Sequence, residues 1–373
     1  MTAGIIKLKD VLASCRRVAI CLDGWSKKGL SSSFLGISAN FYDVHSHKPQ
    51  HALLALDKLQ HPHTGEMLAN SLDKCLTDWG IPEQKIMLIV SDNGANMVKA
   101  IRLLRERNQG ELEGGVVEEE DEDDDQGIVD DDGEPQYDVT NDGATEVDAY
   151  VPVKYRRMGC LAHTIQLVIK QAYDGAYKEL LVKTRKLVGK VRKSSVAMEK
   201  IVQKCGKVVV TDNTTRWNST YYMTKRLLEI QVELNLVLAE MKIDTLLISE
   251  WTLLEEMVAL LEPFTVQTDV LQTDSLSLSN VIPSLLELEC HLEQFPHNKP
   301  LAEAMLQNLR QRFSPLLQPS DPNFNPLPAS ACLLDPTCAA LMLGFDQLEL
   351  REAAKKHIVQ EVNNNNLYFA SMT

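Results

Sequence analysis

The sequence predicts an α/β fold that is interrupted by an acidic disordered insert and followed by an all-helical region. Three observations predict it. Strand-like runs within residues 17–60 lead into a helix–strand–helix pattern. Residues 111–148 hold 18 acidic residues and no Lys or Arg. From Val151 onward apolar residues recur almost only at helical spacing.

Each element has a local reason. Arg17–Asp23 is a short apolar run ending in an acid, Phe34–Tyr42 alternates and is rich in strand formers, and His51–Leu56 gives a third run. Short polar turns between them predict an antiparallel meander. Thr64 then caps a helix carrying Met67, Leu68, Leu72 and Leu76, which ends near Gly80-Ile-Pro82. Lys85–Val90 reads as a buried strand, and a helix with Met97, Ile101 and Leu104 follows Ser91-Asp92-Asn93-Gly94. Glu118–Asp125 are eight consecutive acids. Such a block repels itself and cannot bury enough apolar surface to order. Beyond it, Cys160–Lys170 reads as a helix, Leu187–Val202 as a basic helix and Tyr221–Met241 as another. A further helix through Trp251 and Leu261 is expected to stop at Pro263, two more cover Leu285–Leu292 and Leu301–Phe313, and residues 314–336 read as Pro-rich and irregular. A final helix, Leu341–Val362, is expected to fray into Asn363–Asn366. The expected domains are therefore 1–110, an insert at 111–149, a continuation of the first domain with basic helices at 150–226, and a helical domain at 227–373.

Composition narrows the function. With 373 residues, 44% hydrophobic and 24% charged, the chain is globular and long enough for a sizeable core. Its eight cysteines form no Cys-x-x-Cys pair, which removes a zinc ribbon or thioredoxin-type site. The start lacks a secretory apolar core, and no apolar run reaches membrane-span length, so a soluble, reducing, intracellular setting is expected. The net charge of −14 averages two opposites. Outside residues 111–148 the balance is 38 basic against 34 acidic residues, and residues 149–226 carry 17 basic and only four acidic ones. Such a stretch suits a phosphate backbone, although it also suits a solvated helical surface.

Four constellations could carry chemistry. Asp23 and Asp92 each close an apolar strand. On neighbouring strands their carboxylates would share an edge and could hold Mg²⁺ or Mn²⁺ for phosphoryl transfer. The alternative is an ordinary strand-end or capping Asp. Cys160 and His163 share a helix face at i, i+3 spacing, where the imidazole could assist at a phosphate; a packed Cys and a capped His is the other reading. Arg216, Trp217 and Asn218 combine a phosphate ligand, a stacking ring and an amide, against a Trp that simply anchors a helix start. His45, His47, His51, His61 and His63 flank turns, and no carboxylate or thiol completes a metal site with them. Phosphate-binding Gly-rich loops and nucleophile elbows are absent from the sequence.

Six segments in order resemble the hAT (Activator-like) DNA transposases and their domesticated BED zinc finger relatives. They are Leu22-Asp23-Gly-Trp25-Ser, Phe34-Leu-Gly-Ile-Ser-Ala, Val90-Ser-Asp92-Asn-Gly-Ala-Asn96-Met, Cys160-Leu-Ala-His163-Thr-Ile-Gln-Leu, Thr215-Arg216-Trp217-Asn-Ser-Thr and Ala331-Cys-Leu-Leu-Asp335-Pro. The resemblance implies an RNase H-like mixed sheet interrupted by an all-helical insertion. It implies that Asp23 and Asp92 are the first two metal-binding acids of an incomplete catalytic triad. It places Cys160 and His163 near the cleaved DNA end, and Trp217 against a flipped base. The family's third acid, a Glu, its C-terminal dimerisation region and its N-terminal BED finger have no counterpart in these residues.

The functional expectation is a transposase-derived, nuclear DNA-binding or regulatory protein with little or no cleavage, needing no cofactor. Two alternatives stand beside it. One is an active Mg²⁺- or Mn²⁺-dependent transposase fragment. The other is a scaffold that binds protein partners through its helices, for which Lys183, Arg185, Lys186 and Lys190 would be irrelevant. No membrane partner is expected, and oligomerisation is left open.

Overall fold

The computed structural model describes residues 2–26, 33–59, 63–110, 157–213, 217–271, 278–344 and 347–370. The acidic insert predicted at 111–149 lies outside the described residues. The chain divides into two compact units, Met1–His163 and Thr164–Thr373.

The first unit is built on a mixed five-stranded sheet. Its elements are α1 (Thr2–Ser14), β1 (Val18–Ser26), β2 (Ser33–Asp43), β3 (Lys48–Leu59), α2 (Gly65–Trp79), β4 (Ile86–Ser91), α3 (Ala95–Gly110) and β5 (Arg157–Gly159). The strand order is β3-β2-β1-β4-β5, antiparallel across the first three and parallel from β1 to β4 to β5. The predicted meander is therefore present, and after α2 the parallel β4 adds to its β1 edge. Alternation on β1 and β2 sets one sheet face: Val18, Ile20, Leu22, Leu35, Ile37 and Ala39 are buried with Leu68, Leu72, Ile101 and Leu104 of the helices. Thr64 caps α2 by accepting the Met67 N–H at 3.2 Å, and left-handed Gly80 (φ 64°) closes it. Helix α1 and strand β5 carry too little periodic signal to be read from sequence.

The second unit contains helices and no strand among its described residues. The helix α4 (Leu161–Asp174) carries the chain across the division. After it come α5 (Lys178–Lys193), α6 (Ser195–Cys205), α7 (Trp217–Glu229), α8 (Gln231–Glu240), α9 (Ile248–Leu271), α10 (Val281–Gln294), α11 (Lys299–Leu317), α12 (Leu327–Leu334), α13 (Pro336–Gly344) and α14 (Leu348–Ala370). No helix among the described residues is long and apolar enough to cross a membrane.

Several sequence expectations need correction here. The basic helix is two helices, because Ser194 accepts the Ala197 N–H at 3.2 Å and starts a new one. The Tyr221–Met241 segment likewise breaks at Ile230. Pro263 does not stop α9, and Pro315 lies inside α11. An internal proline costs about 3 kcal/mol. In α9 that is offset by burying Leu260, Leu261 and Phe264 on either side of it. The supposedly irregular 314–336 contains the end of α11 and all of α12, in which Pro328 sits in the first turn, where its missing N–H is harmless. The last predicted helix is two, α13 and α14, and α14 continues through Asn363–Asn366.

Candidate active site and nucleic-acid interface

The pairing of β1 with β4 sets where the two acids stand. The β1–β4 register runs Ile20↔Ile89 and Cys21↔Val90. Asp23 lies on β1 two residues beyond Cys21, and Asp92 is the residue after β4, two beyond Val90. Asp23 is exposed and Asp92 half-buried. Asp92 Oδ1 accepts the Gly94 N–H at 3.1 Å, which turns the chain out of β4 into α3. Both carboxylates act on the thiol of Cys160, raising its pKa together, although burial is the larger cause.

Cys160 is the residue before α4, not a member of the helix. Its sulfur is a cap: the backbone N–H groups of Ala162 and His163 donate to it and partly offset the upward shift. Its own N–H donates to Ser91 O at 2.6 Å, extending the β4–β5 ladder. His163 follows in the first turn, half-buried. Cys21 joins this group from β1. Burial pushes its thiol up to about 11, Asn40 Nδ2 donates to it at 3.2 Å, and Cys160 adds to the rise.

Three residues escaped the sequence reading. Arg157 donates from Nε to Ser91 Oγ (3.1 Å) and from Nη2 to Asp92 O (2.6 Å) and Asn93 Oδ1 (2.7 Å). Burial lowers its pKa, and the Asp92 charge opposes that shift. Gly159 lets β5 lie against this turn, since a Cβ there would stand 2.6 Å from Asn93 Oδ1. Arg157, Asn93 and Gly159 thus fix the loop that carries Asp92. Their signal is weak: an Arg at the end of an acidic insert has no distinctive spacing.

Asp23 does not close its strand, because β1 pairs with β2 as far as Ser26, whereas Asp92 follows the last residue of β4. Carboxylates are the hard oxygen donors that Mg²⁺ or Mn²⁺ takes, with water and phosphate filling the remaining positions. To that extent the residues fit such an ion. Among the described residues, no group of three or more His, Cys, Asp or Glu is placed to hold a metal. That covers His45 and His47 at the β2–β3 turn and His51 on β3; His61 lies outside the described residues.

The second unit treats its motif differently. Trp217 opens α7 and is only 6% exposed; its backbone oxygen accepts from Tyr173 Oη at 3.3 Å. Burial raises the pKa of Tyr173. Asn218 Oδ1 is buried with no hydrogen-bond partner among the described residues, and Arg216 lies outside them. Nearby in the chain, Asp212 Oδ2 accepts from Arg185 Nε (2.7 Å) and Thr220 Oγ1 (2.9 Å).

Ion pairs sort the basic stretch. Lys183 pairs with Glu250, Arg185 with Asp212, Lys200 and Lys204 with Glu240, Lys207 and Arg226 with Glu229, and Lys225 with Glu262. Lys178, Lys186, Lys190 and Lys193 on α5 are exposed and make no ion pair among the described residues. Lys186, Lys190 and Lys193 stand at i, i+4 and i+7, one face of the helix, opposite the buried Leu180, Leu187 and Val191.

Comparison with known proteins decides the family. Residues 21–114 match the model of the ZBED1 RNase-like domain, and residues 158–260 match that of the ZBED1 RNase-like helical domain; together they cover more than half of the chain. The chain belongs to the hAT-derived, RNase H-like family. The first family match opens in β1 just before Asp23 and closes after α3; the second opens in β5 and closes within α9. Residues 115–157, which hold most of the acids of the predicted insert, fall between the two. Among relatives, the human Zinc finger BED domain-containing protein 4 is 24% identical over 51% of this chain. A Talaromyces stipitatus protein named "Putative transcriptional regulator tpeD" is 23% identical over 77% of it. The chain spans 17% and 33% of the lengths of these two relatives.

Proposed function

We propose that this protein is a transposase-derived nuclear regulator that binds DNA and acts by holding it rather than cutting it. The observation that carries the reading is the unpaired lysine row of α5. Most of the other described basic residues of that region are engaged by carboxylates, whereas Lys178, Lys186, Lys190 and Lys193 remain free for phosphates. Family membership and the transcriptional-regulator name of the Talaromyces relative support a regulatory role. Cys160 and His163 in the first unit, and Arg216, Trp217 and Asn218 in the second, are each proposed as DNA contacts, as the family pattern implies.

The absence of cutting is part of the proposal. The described part of the site supplies two carboxylates, and Arg157 already places a cation beside Asp92. The juxtaposition of Asp23 and Asp92 favours a second reading, metal-dependent strand cleavage. In that case these two residues would hold the ion, and the ion would polarise a phosphoryl oxygen. Asp92 would then need the Gly94 N–H and the Arg157 tether to keep its carboxylate on the strand axis. Under either reading the helical unit is also a candidate surface for protein partners.

The test has two arms. Duplex DNA retention should fall steeply as salt rises, and retention that ignores salt would contradict the binding reading. Incubating branched or hairpin DNA with Mg²⁺ or Mn²⁺ should leave it intact. Cleavage that disappears in Asp92→Asn would replace the proposal with the second reading.

A further inference from the structure

We infer that Ser195 is a phosphorylation site for a serine kinase that prefers basic substrates, and that its phosphate switches off the lysine face of α5. The inference rests on the DNA-binding reading and names the regulation of that same surface. The residues around the serine run Arg192-Lys193-Ser194-Ser195-Val196. Kinases choose substrates by charge pattern, and an acidic substrate groove takes basic side chains two and three residues before the serine. Lys193 and Arg192 stand at those two positions. Arg192, Lys193, Ser195 and Val196 are all exposed, at the corner where α5 ends and α6 begins.

The corner can offer this stretch without opening the core. Ser194 is already extended, with φ −101° and ψ 103°. Arg192 is tethered by one hydrogen bond, from Nη1 to Val209 O at 2.9 Å. A kinase carboxylate replaces it with a stronger, charge-paired one. The cap of α6 is Ser194, which accepts the Ala197 N–H at 3.2 Å, so modifying Ser195 leaves that cap in place. In the transfer, Ser195 Oγ attacks the γ-phosphorus of ATP. The new P–O bond forms as the bond to the β,γ-bridging oxygen breaks, ADP leaves, and the hydroxyl proton passes to a base of the kinase.

The product reaches the lysines. A phosphoserine carries about −1.5 to −2 at neutral pH, and a helix start favours negative charge. Ser195 is two residues from Lys193, so their Cα atoms are at most about 7 Å apart. Lys190 precedes Lys193 by one turn on the same face. The phosphate therefore offsets up to two charges of the Lys186, Lys190 and Lys193 row, where duplex phosphates would otherwise sit.

The full chain is incubated with ATP and the catalytic subunit of cyclic-AMP-dependent protein kinase, and the phosphate is located by mass spectrometry. Ser195 should be phosphorylated, and Arg192→Gln should slow its modification by roughly tenfold. The phosphorylated chain should bind duplex DNA about tenfold more weakly at ~0.1 M salt, with a slope of log K against log salt shallower by about 1–2. Ser195→Glu, with a single charge, should weaken binding by about threefold. In a Lys186→Gln/Lys190→Gln/Lys193→Gln background it should change binding by less than about twofold. No phosphate on Ser195 overturns the inference, and so does a phosphorylated chain whose affinity and slope match those of the unmodified one. A full Ser195→Glu effect without the three lysines overturns the route through α5. Failure of the unmodified chain to bind duplex DNA would instead remove the reading on which this one rests, whether or not Ser195 is phosphorylated.

Discussion

Two tryptophans from family motifs meet opposite fates in the two units. Trp25 stands exposed on a sheet face beside an acid, while Trp217 is sealed at the start of a helix. The aspartates divide in the same way. Asp23 lies on β1 and Asp92 directly follows the neighbouring β4, whereas Asp212 and Asp335 are consumed by capping and pairing. Asp335 Oδ2 accepts from Ser279 Oγ at 2.7 Å and its Oδ1 from the Thr337 N–H at 2.9 Å, which locks the turn before α10 to the α12–α13 junction. A motif shared with a family thus leaves its tryptophan exposed in one unit and packs it away in the other. Burial, not residue type, tells them apart.

The contrast can be broken from its largest effect downward. Trp217→Ala should cost about 3–5 kcal/mol in denaturant unfolding, while Trp25→Ala should cost about 1 kcal/mol. Equal costs would erase the distinction. Arg185→Met, which strands the buried Asp212 carboxylate, should cost about 2–3 kcal/mol. Gly159→Ala should cost about 1–2 kcal/mol, because the new methyl displaces Asn93 from Arg157. In an Asn93→Ala background that penalty should shrink; a full penalty there would show that Asn93 is not what Gly159 accommodates.

A smaller effect is a pH dependence. Hydrogen bonds from Ser279 and then Thr337 hold the Asp335 carboxyl down at about 2, below its ordinary 3.8. A folded-state pKa lowered in this way stabilises the protein above the ordinary value, and the stabilisation is lost as pH falls through the window between about 4 and 2. Thermal unfolding of Asp335→Asn should lack the acid-side decline that this residue contributes to the wild type. An identical decline in both would contradict the assignment.

Much of this was legible in the sequence because its physics is local. Alternation on Phe34–Tyr42, the cap at Thr64 and the acids closing two apolar runs each depend on a few adjacent residues. The antiparallel meander and the strand β4 that follows α2 come from them. What was hidden depends on distant partners. Arg185 and Asp212 are 27 residues apart and Lys183 and Glu250 are 67 apart, so charge counting could not show which cations are already spent. Two of the four basic residues singled out for DNA contact, Lys183 and Arg185, proved to be paired. Arg157 and Gly159 matter only because β5 comes to lie beside β4. Pro263 misled because a proline's local cost can be outweighed by packing that the local sequence does not reveal.

The central claim is that the free face of α5 carries the DNA. The direct measurement is the salt dependence of duplex binding by the full chain, compared with Lys186→Gln/Lys190→Gln/Lys193→Gln. Each lysine that neutralises a phosphate adds roughly 0.9 to the slope of log K against log salt. The triple variant should bind more weakly at low salt, with a slope shallower by about 2–3 and with helical content unchanged. A slope equal to that of the wild type would contradict the account.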